Sequence, residues 1–180
     1  AMSDLSVLKE QFTDHNPRIL YGDTPNCSLQ TFFGDVDEIT PGNFVFYDLT
    51  QVSIGSCTES DIAVAMVCPV TGKYVDSQQV LIHGGAVHFS KDTIIVDGEP
   101  VFGKQVNFTG NGWSSMPGGA CITSISQEHG VVGMTARQME SLRIGDLLAF
   151  YPVHSCLTAN LMRQYTTPDG EVITMLTGQG

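Results

Sequence analysis

In the stretch YPVHSCLTANL a histidine and a cysteine stand two positions apart, His154 and Cys156, just after a proline. An imidazole and a thiolate together suit Zn²⁺. On an extended strand, residues i and i+2 face the same side, so both side chains could converge on one ion. Two neighbouring protein ligands, with no CxxC pair elsewhere, would leave positions for a third side chain, water or substrate, as catalytic zinc requires. The plainer alternative is a hydrogen-bonded core histidine beside an inert thiol, and spacing alone favours it, because H-x-C is short and common.

Other segments carry candidate chemistry of their own. LIHGGAVHFSKD gathers His83, Gly84, Gly85, His88, Ser90, Lys91 and Asp92. Its two glycines mark a place where something approaches the backbone, although a glycine bend between strands explains them more simply. Lys91, flanked by Ser90 and Asp92, reads as a solvated charge rather than a Schiff-base lysine. Glu128-His129-Gly130 offers either a carboxylate–imidazole pair, for acid/base work or for orienting a metal ligand, or simply a polar turn. Gly22-Asp23-Thr24-Pro25 at a strand end has backbone N–H groups and a hydroxyl for a phosphate, and makes an equally good β-turn. Tyr47 in FVFYDL faces a site or fills the core, and periodicity leans to the core. NGWSSMPGGA, residues 111–120, is a flexible lid or a long hairpin connection.

The elements that must hold these groups are mostly strands. Residues 3–13 carry apolar side chains at Leu5, Val7, Leu8 and Phe12 behind Ser3 and Asp4, which predicts a short helix. RILY then reads as a strand running into the GDTP turn. From Asp37 onward, ITPGNFVFYDL, IAVAMVCPV, YVDSQQVLIHGG, DTIIVDG, ACITSISQEHG, GDLLAFYPVHSC, RQYTT and EVITMLT are short β-rich runs separated by Pro-Gly, Thr-Gly and Asp-Gly turns. MTARQMESLRIGD holds one or two helical turns. The fold class is mainly β, an antiparallel barrel or sandwich, preceded by a short αβ unit that cannot bury its own faces.

With 8 Lys+Arg against 19 Asp+Glu, the 180-residue chain has a formal charge of -11, and its few basic residues form no cluster. Nucleic acid and anionic membrane are therefore poor partners. No apolar run approaches a membrane span and the start lacks a secretory pattern, so a soluble protein is expected, with Ala1-Met2 reading as a tag remnant. Five scattered cysteines, an odd number, fit a reducing, cytoplasmic setting.

Taken in order, GDTP, DEITPGNFVFYD, IHGGAVHFSKD, SQEHG and PVHSCLTANLM closely resemble the C-terminal half of the D-serine dehydratase-like proteins. These are relatives of D-threonine aldolase among the alanine-racemase-type (fold type III) pyridoxal-phosphate enzymes. The resemblance runs from about Ile19 over almost the whole chain, and several motifs in a fixed order are more specific than any one. It implies that residues 1–34 end an N-terminal (β/α)₈ barrel and that residues 35–180 form the β domain. It also implies that Gly22 and Thr24 hold the cofactor phosphate, that Tyr47 lies near the cofactor, and that His154 and Cys156 hold a catalytic zinc. The aldolases carry aspartate at the second metal position, so Cys156 points to the dehydratase branch.

The implied reaction takes a D-serine-like D-hydroxy amino acid to a keto acid and ammonia. Pyridoxal phosphate serves as electron sink and zinc stabilises the departing β-oxygen. No residue matches the family's Schiff-base lysine, and Lys91 lies in the β domain. The chain alone is therefore expected to be inactive, and the full-length protein a homodimer. Two alternatives stand beside this one: a D-threonine-aldolase-type lyase and a non-catalytic β-barrel binding module.

Overall fold

A computed structural model describes residues 2–110, 112–116 and 118–175. The chain opens with α1 (Met2–Gln11) and a 3₁₀ turn at Thr13–His15, close to the expected helix. β1 (Leu20–Tyr21) pairs in parallel with β2 (Glu38–Ile39), and α2 (Thr24–Leu29) lies between them. A second 3₁₀ turn (Asn43–Val45), α3 (Leu49–Ser53) and a third 3₁₀ turn (Glu59–Asp61) lead into the sheet. There follow β3 (Met66–Tyr74), β4 (Gln79–Ile82), β5 (Ile94–Val96), β6 (Glu99–Val101), β7 (Gly103–Phe108), β8 (Trp113–Ser115), β9 (Cys121–Ile125) and β10 (Gly130–Gly133). The short α4 (Ala136–Met139), β11 (Leu147–Pro152), α5 (Ser155–Met162), β12 (Gln164–Thr166) and β13 (Val172–Thr174) complete the order.

Strands β11-β3-β4-β10-β9-β7 are hydrogen-bonded neighbours in that order, and β7 pairs back onto β11, closing a six-stranded antiparallel barrel. Closure removes the edges that an open sheet would expose. The period-2 pattern of the strands sends Cys68 and Val70 of β3, Val80 and Ile82 of β4, Ile122 of β9, Val132 of β10, and Leu148 and Phe150 of β11 into the interior, with Phe89 and Met139 plugging the barrel. The opposite face of β11 is also covered. Tyr151 and Val153 pack with Leu49, Ile62 and Val106 in a second core. Burial on both faces explains why residues 148–153, LAFYPV, form a continuous apolar run rather than an alternating one. β11 is thus a fixed rod, and the chain leaves it at His154.

Three expectations need correction. ITPGNFVFYDL is a strand only at Ile39, the end of β2: its aromatic and β-branched residues favour one throughout, but Asp48 accepts the Gln51 N–H and starts α3, while Tyr47 takes a left-handed turn at φ 48°. GDTP is no β-turn. The Asp23 side chain accepts the Asn26 N–H, and Pro25 sits in the first turn of α2, where its missing N–H costs nothing. Nor do His154 and Cys156 share a strand, because the backbone turns helical at Ser155.

The Asp97-Gly98 turn between β5 and β6 behaves as the sequence predicts, both residues having positive φ (51° and 86°), the geometry a two-residue hairpin demands. Tight contact elsewhere depends on glycine. A Cβ on Gly85 would lie 2.6 Å from backbone atoms of Gln127, Glu128 and His129, and one on Gly130 would lie 2.6 Å from the Gly84 carbonyl oxygen.

Candidate functional site

His154 is the N-cap residue of α5, still extended (φ −134°, ψ 96°), and Cys156 lies in the helix's first turn. The two side chains therefore leave a single helix start rather than a strand face. The His154 Nδ1 is 2.7 Å from Asp92 Oδ2. Cys156 is half-buried; burial raises its thiol above the usual range, and the Asp48 carboxylate pushes it further the same way. Tyr165 is nearby, its hydroxyl raised by burial and by Cys156, and its ring packs at 5.6 Å from that of Phe46.

A ring of hydrogen bonds ties this helix start to Thr24 and Tyr47. The Ser155 hydroxyl donates to the Tyr47 carbonyl, and the Tyr47 hydroxyl is 3.0 Å from that of Ser28. Ser28 donates to the Thr24 carbonyl at 2.8 Å, while the Thr24 hydroxyl accepts the Asn43 N–H at 3.1 Å. The Asn43 side-chain amide donates to Asp48 Oδ2 at 2.7 Å, and the same oxygen accepts the Ser155 N–H at 3.0 Å. Asp48 is 1 % exposed, and its two oxygens are satisfied by these donors together with the Gln51 N–H. One carboxylate thus caps two helices, α3 and α5.

Gly22 lies at the edge of this ring, where an added Cβ would press on the Thr40 hydroxyl at 3.0 Å. Of the sequence candidates, Gly22, Thr24, Tyr47, His154 and Cys156 accordingly lie along one connected stretch of structure. The glycine segment is elsewhere in function. Ala86 and Val87 donate their N–H groups to the Ser126 and Gln127 carbonyls, fastening the loop after β4 to the β9–β10 turn. This packing gathers three imidazoles, His83 with His88 at 5.0 Å and His83 with His129 at 5.6 Å between ring centroids. His88 Nδ1 accepts the Gly85 N–H at 3.2 Å; burial, with His83 adding to it, keeps this imidazole below the usual range. Glu128 and His129 lie in the β9–β10 hairpin connection, and the carboxylate beside His154 is that of Asp92 instead. Lys91 is exposed, and Trp113 packs edge-on to Phe108 across the β7–β8 hairpin. Asn111 and Pro117 of that loop lie outside the described residues.

Sequence reasoning missed the roles of Asp48, Ser155 and Asp92. A signal existed for Asp48, since Asp followed by Leu-Thr-Gln is a helix start, but the FVFY run masked it. Nothing local marks Asp92, which is 62 residues from its partner. Among the described residues no group of three His, Cys, Asp or Glu side chains is gathered as a metal site, none of the five cysteines is paired, and no helix is long and apolar enough to cross a membrane.

This barrel, with its histidine–cysteine helix start, matches the family described as "Putative serine dehydratase domain" over residues 63–167, more than half of the chain. The chain belongs to that family. It is 31% identical over 157 residues to the D-serine dehydratase of Dictyostelium discoideum, covering 80% of this chain and 37% of that protein. It is 27% identical over 167 residues to the D-threo-3-hydroxyaspartate dehydratase of Delftia sp. strain HT23, covering 88% and 43%. Solved structures of the Delftia enzyme superpose with a TM-score of 0.72, and they include a cysteine-to-alanine mutant in the metal-free form. An alanine racemase-like protein from Idiomarina loihiensis gives a TM-score of 0.74 at 29% identity, over 89% of this chain and 44% of that one. The chain spans less than half the length of these relatives.

Proposed function

We propose that this chain is the β-barrel portion of a pyridoxal-phosphate- and zinc-dependent lyase that acts on D-hydroxy amino acids, by D-serine-dehydratase-type elimination to a keto acid and ammonia. The observation that carries the reading is the hydrogen-bonded ring, which joins Thr24 and Tyr47 to the His154–Cys156 helix start in a member of this family. The Delftia structures add support: their cysteine-to-alanine and histidine-to-alanine mutants alter positions two apart, the spacing of His154 and Cys156.

The residues fit the groups they would hold. An imidazole nitrogen and a thiol suit zinc, and both are presented at the start of α5. The Thr24 hydroxyl accepts from Asn43 and so keeps its own proton to donate to a phosphate oxygen, with Gly22 letting the turn lie close to Thr40. When bound, zinc supplies Lewis-acid stabilisation of a leaving hydroxyl and pyridoxal phosphate supplies an electron sink at the α-carbon. Cys156 must surrender its proton to act as a ligand, so loading the site releases a proton. Tyr47, held at its hydroxyl by Ser28 and at its carbonyl by Ser155, keeps a fixed position beside the phosphate turn. On the same reading, residues 1–34 end a (β/α)₈ barrel that supplies the Schiff-base lysine, residues 35–180 form the β domain, the full-length protein is a homodimer, and this chain alone is inactive.

The test is turnover of D-serine by the full-length protein, with and without chelator. Keto acid should form, chelation should abolish it, and Cys156→Ala should lower turnover about 100-fold or more with circular dichroism unchanged. A fully active Cys156→Ala protein overturns the zinc role. Glycine and an aldehyde in place of keto acid would identify aldolase-type cleavage, and no turnover at all would leave a non-catalytic barrel module.

A further inference from the structure

We infer that Asp92 is the positioning residue of the metal centre, fixing which nitrogen of His154 is offered to a cation; this rests on the metal reading above. An ionised carboxylate can only accept hydrogen bonds, so at 2.7 Å from Asp92 Oδ2 the His154 Nδ1 must be the donor. The proton then sits on Nδ1, and the Nε2 lone pair is the one left to bind a metal. A carboxylate in this position also makes the ring a stronger donor to the metal and holds its plane.

The segment that delivers Asp92 is anchored for the purpose. Phe89 is buried in the barrel, edge-on to Phe150 at 6.3 Å between ring centroids. Its carbonyl accepts the Thr158 hydroxyl at 2.8 Å, and Thr158 lies one turn along α5 from His154, its own N–H bonded to the His154 carbonyl at 3.2 Å. The loop that carries Asp92 and the helix that starts at His154 are thus pinned together. Ser90 sits at φ 109°, an uncommon conformation for a residue with a side chain, and its hydroxyl accepts the Asp92 N–H at 3.2 Å. Strain of this kind persists only where the surroundings enforce it. The result is a carboxylate brought to the imidazole from a distant part of the sequence, on a solvent-accessible face where the contact itself contributes little to stability.

Two readouts on this chain, neither of them enzymatic activity, test the assignment. Long-range ¹H–¹⁵N NMR of the metal-free protein at a pH where His154 is neutral should show the Nδ1–H tautomer, and Asp92→Ala should shift the population toward Nε2–H. Titration with Co²⁺, followed by the thiolate charge-transfer band that Cys156 would give, should show about 10- to 100-fold weaker binding in Asp92→Ala. Asp92→Asn retains a carbonyl acceptor and should restore the tautomer and most of the affinity, which a direct ligand role for Asp92 would not allow. An Nε2–H tautomer in the parent protein overturns the inference whether or not cobalt binds. So does undiminished cobalt binding by Asp92→Ala. The Nδ1–H tautomer without any cobalt uptake by the parent would instead sink the metal reading while upholding the orientation of the ring.

Discussion

Two regions of this molecule bring histidines together with small residues, and they are built in opposite ways. At the junction of the β4 loop with the β9–β10 turn, backbone lies on backbone, and His83, His88 and His129 are close because Gly85 and Gly130 let the two segments touch. One nitrogen of His88 is already committed to the Gly85 N–H. At the start of α5 side chains reach across from other segments instead, Asp92 to the His154 Nδ1 and Asp48 to the Ser155 N–H, so that the His154 nitrogen engaged is Nδ1. The more conspicuous cluster in sequence is therefore a clamp, and the sparser pair is the candidate reactive site. Proximity of ring nitrogens counts for less than which of their lone pairs are still available.

Substitution at the clamp should have the largest effect. Gly85→Ala places a Cβ within 2.6 Å of three backbone atoms that have no rotamer to yield, and should destabilise the fold by about 3 kcal/mol or more, read as a lower urea midpoint. A Gly85→Ala protein as stable as its parent would mean that the junction is loose and the contrast between the regions is wrong. Next in size comes Asp48→Ala on the reactive side. It strips three donors of their acceptor, among them the capping bonds of α3 and α5, and should cost about 3 kcal/mol by the same assay, with Asp48→Asn milder.

The smallest effect is a pH dependence. His88 binds its proton less readily folded than unfolded, so its contribution to stability is complete above its unfolded value near 6.5 and is lost as pH falls below it. The urea midpoint should decline between pH 7.5 and 5.5, and His88→Asn should flatten that decline. An unchanged slope in the variant would show that the imidazole cluster is not strained by charge.

The barrel was largely legible in the sequence because its strands are short, β-branched and separated by dipeptides such as Asp97-Gly98 whose backbone geometry admits few alternatives. Where side chains were aromatic but the turn chemistry was helical, as in FVFYDL, strand propensity misled, since a buried cap at Asp48 outweighs it. The helix from Ser155 was hidden for a related reason: PVHSC continues the apolar run of β11, and only the tertiary bond from Asp48 to the Ser155 N–H shows where the strand ends. His154 and Cys156 were recognisable as residue types in a fixed order of motifs. Asp92 was visible only as one member of a polar loop, because pairing across 62 residues has no local pattern.

Asp48 also defines what would have to be moved if this centre were grafted onto another scaffold. The His-x-Cys tripeptide alone would arrive without the group that terminates its strand and starts its helix. The smallest transferable unit is the pair of segments 43–53 and 152–162, joined by the buried Asp48 carboxylate and by the Ser155–Tyr47 and Thr50–Val153 hydrogen bonds, and a design that imports one without the other would inherit a frayed helix end.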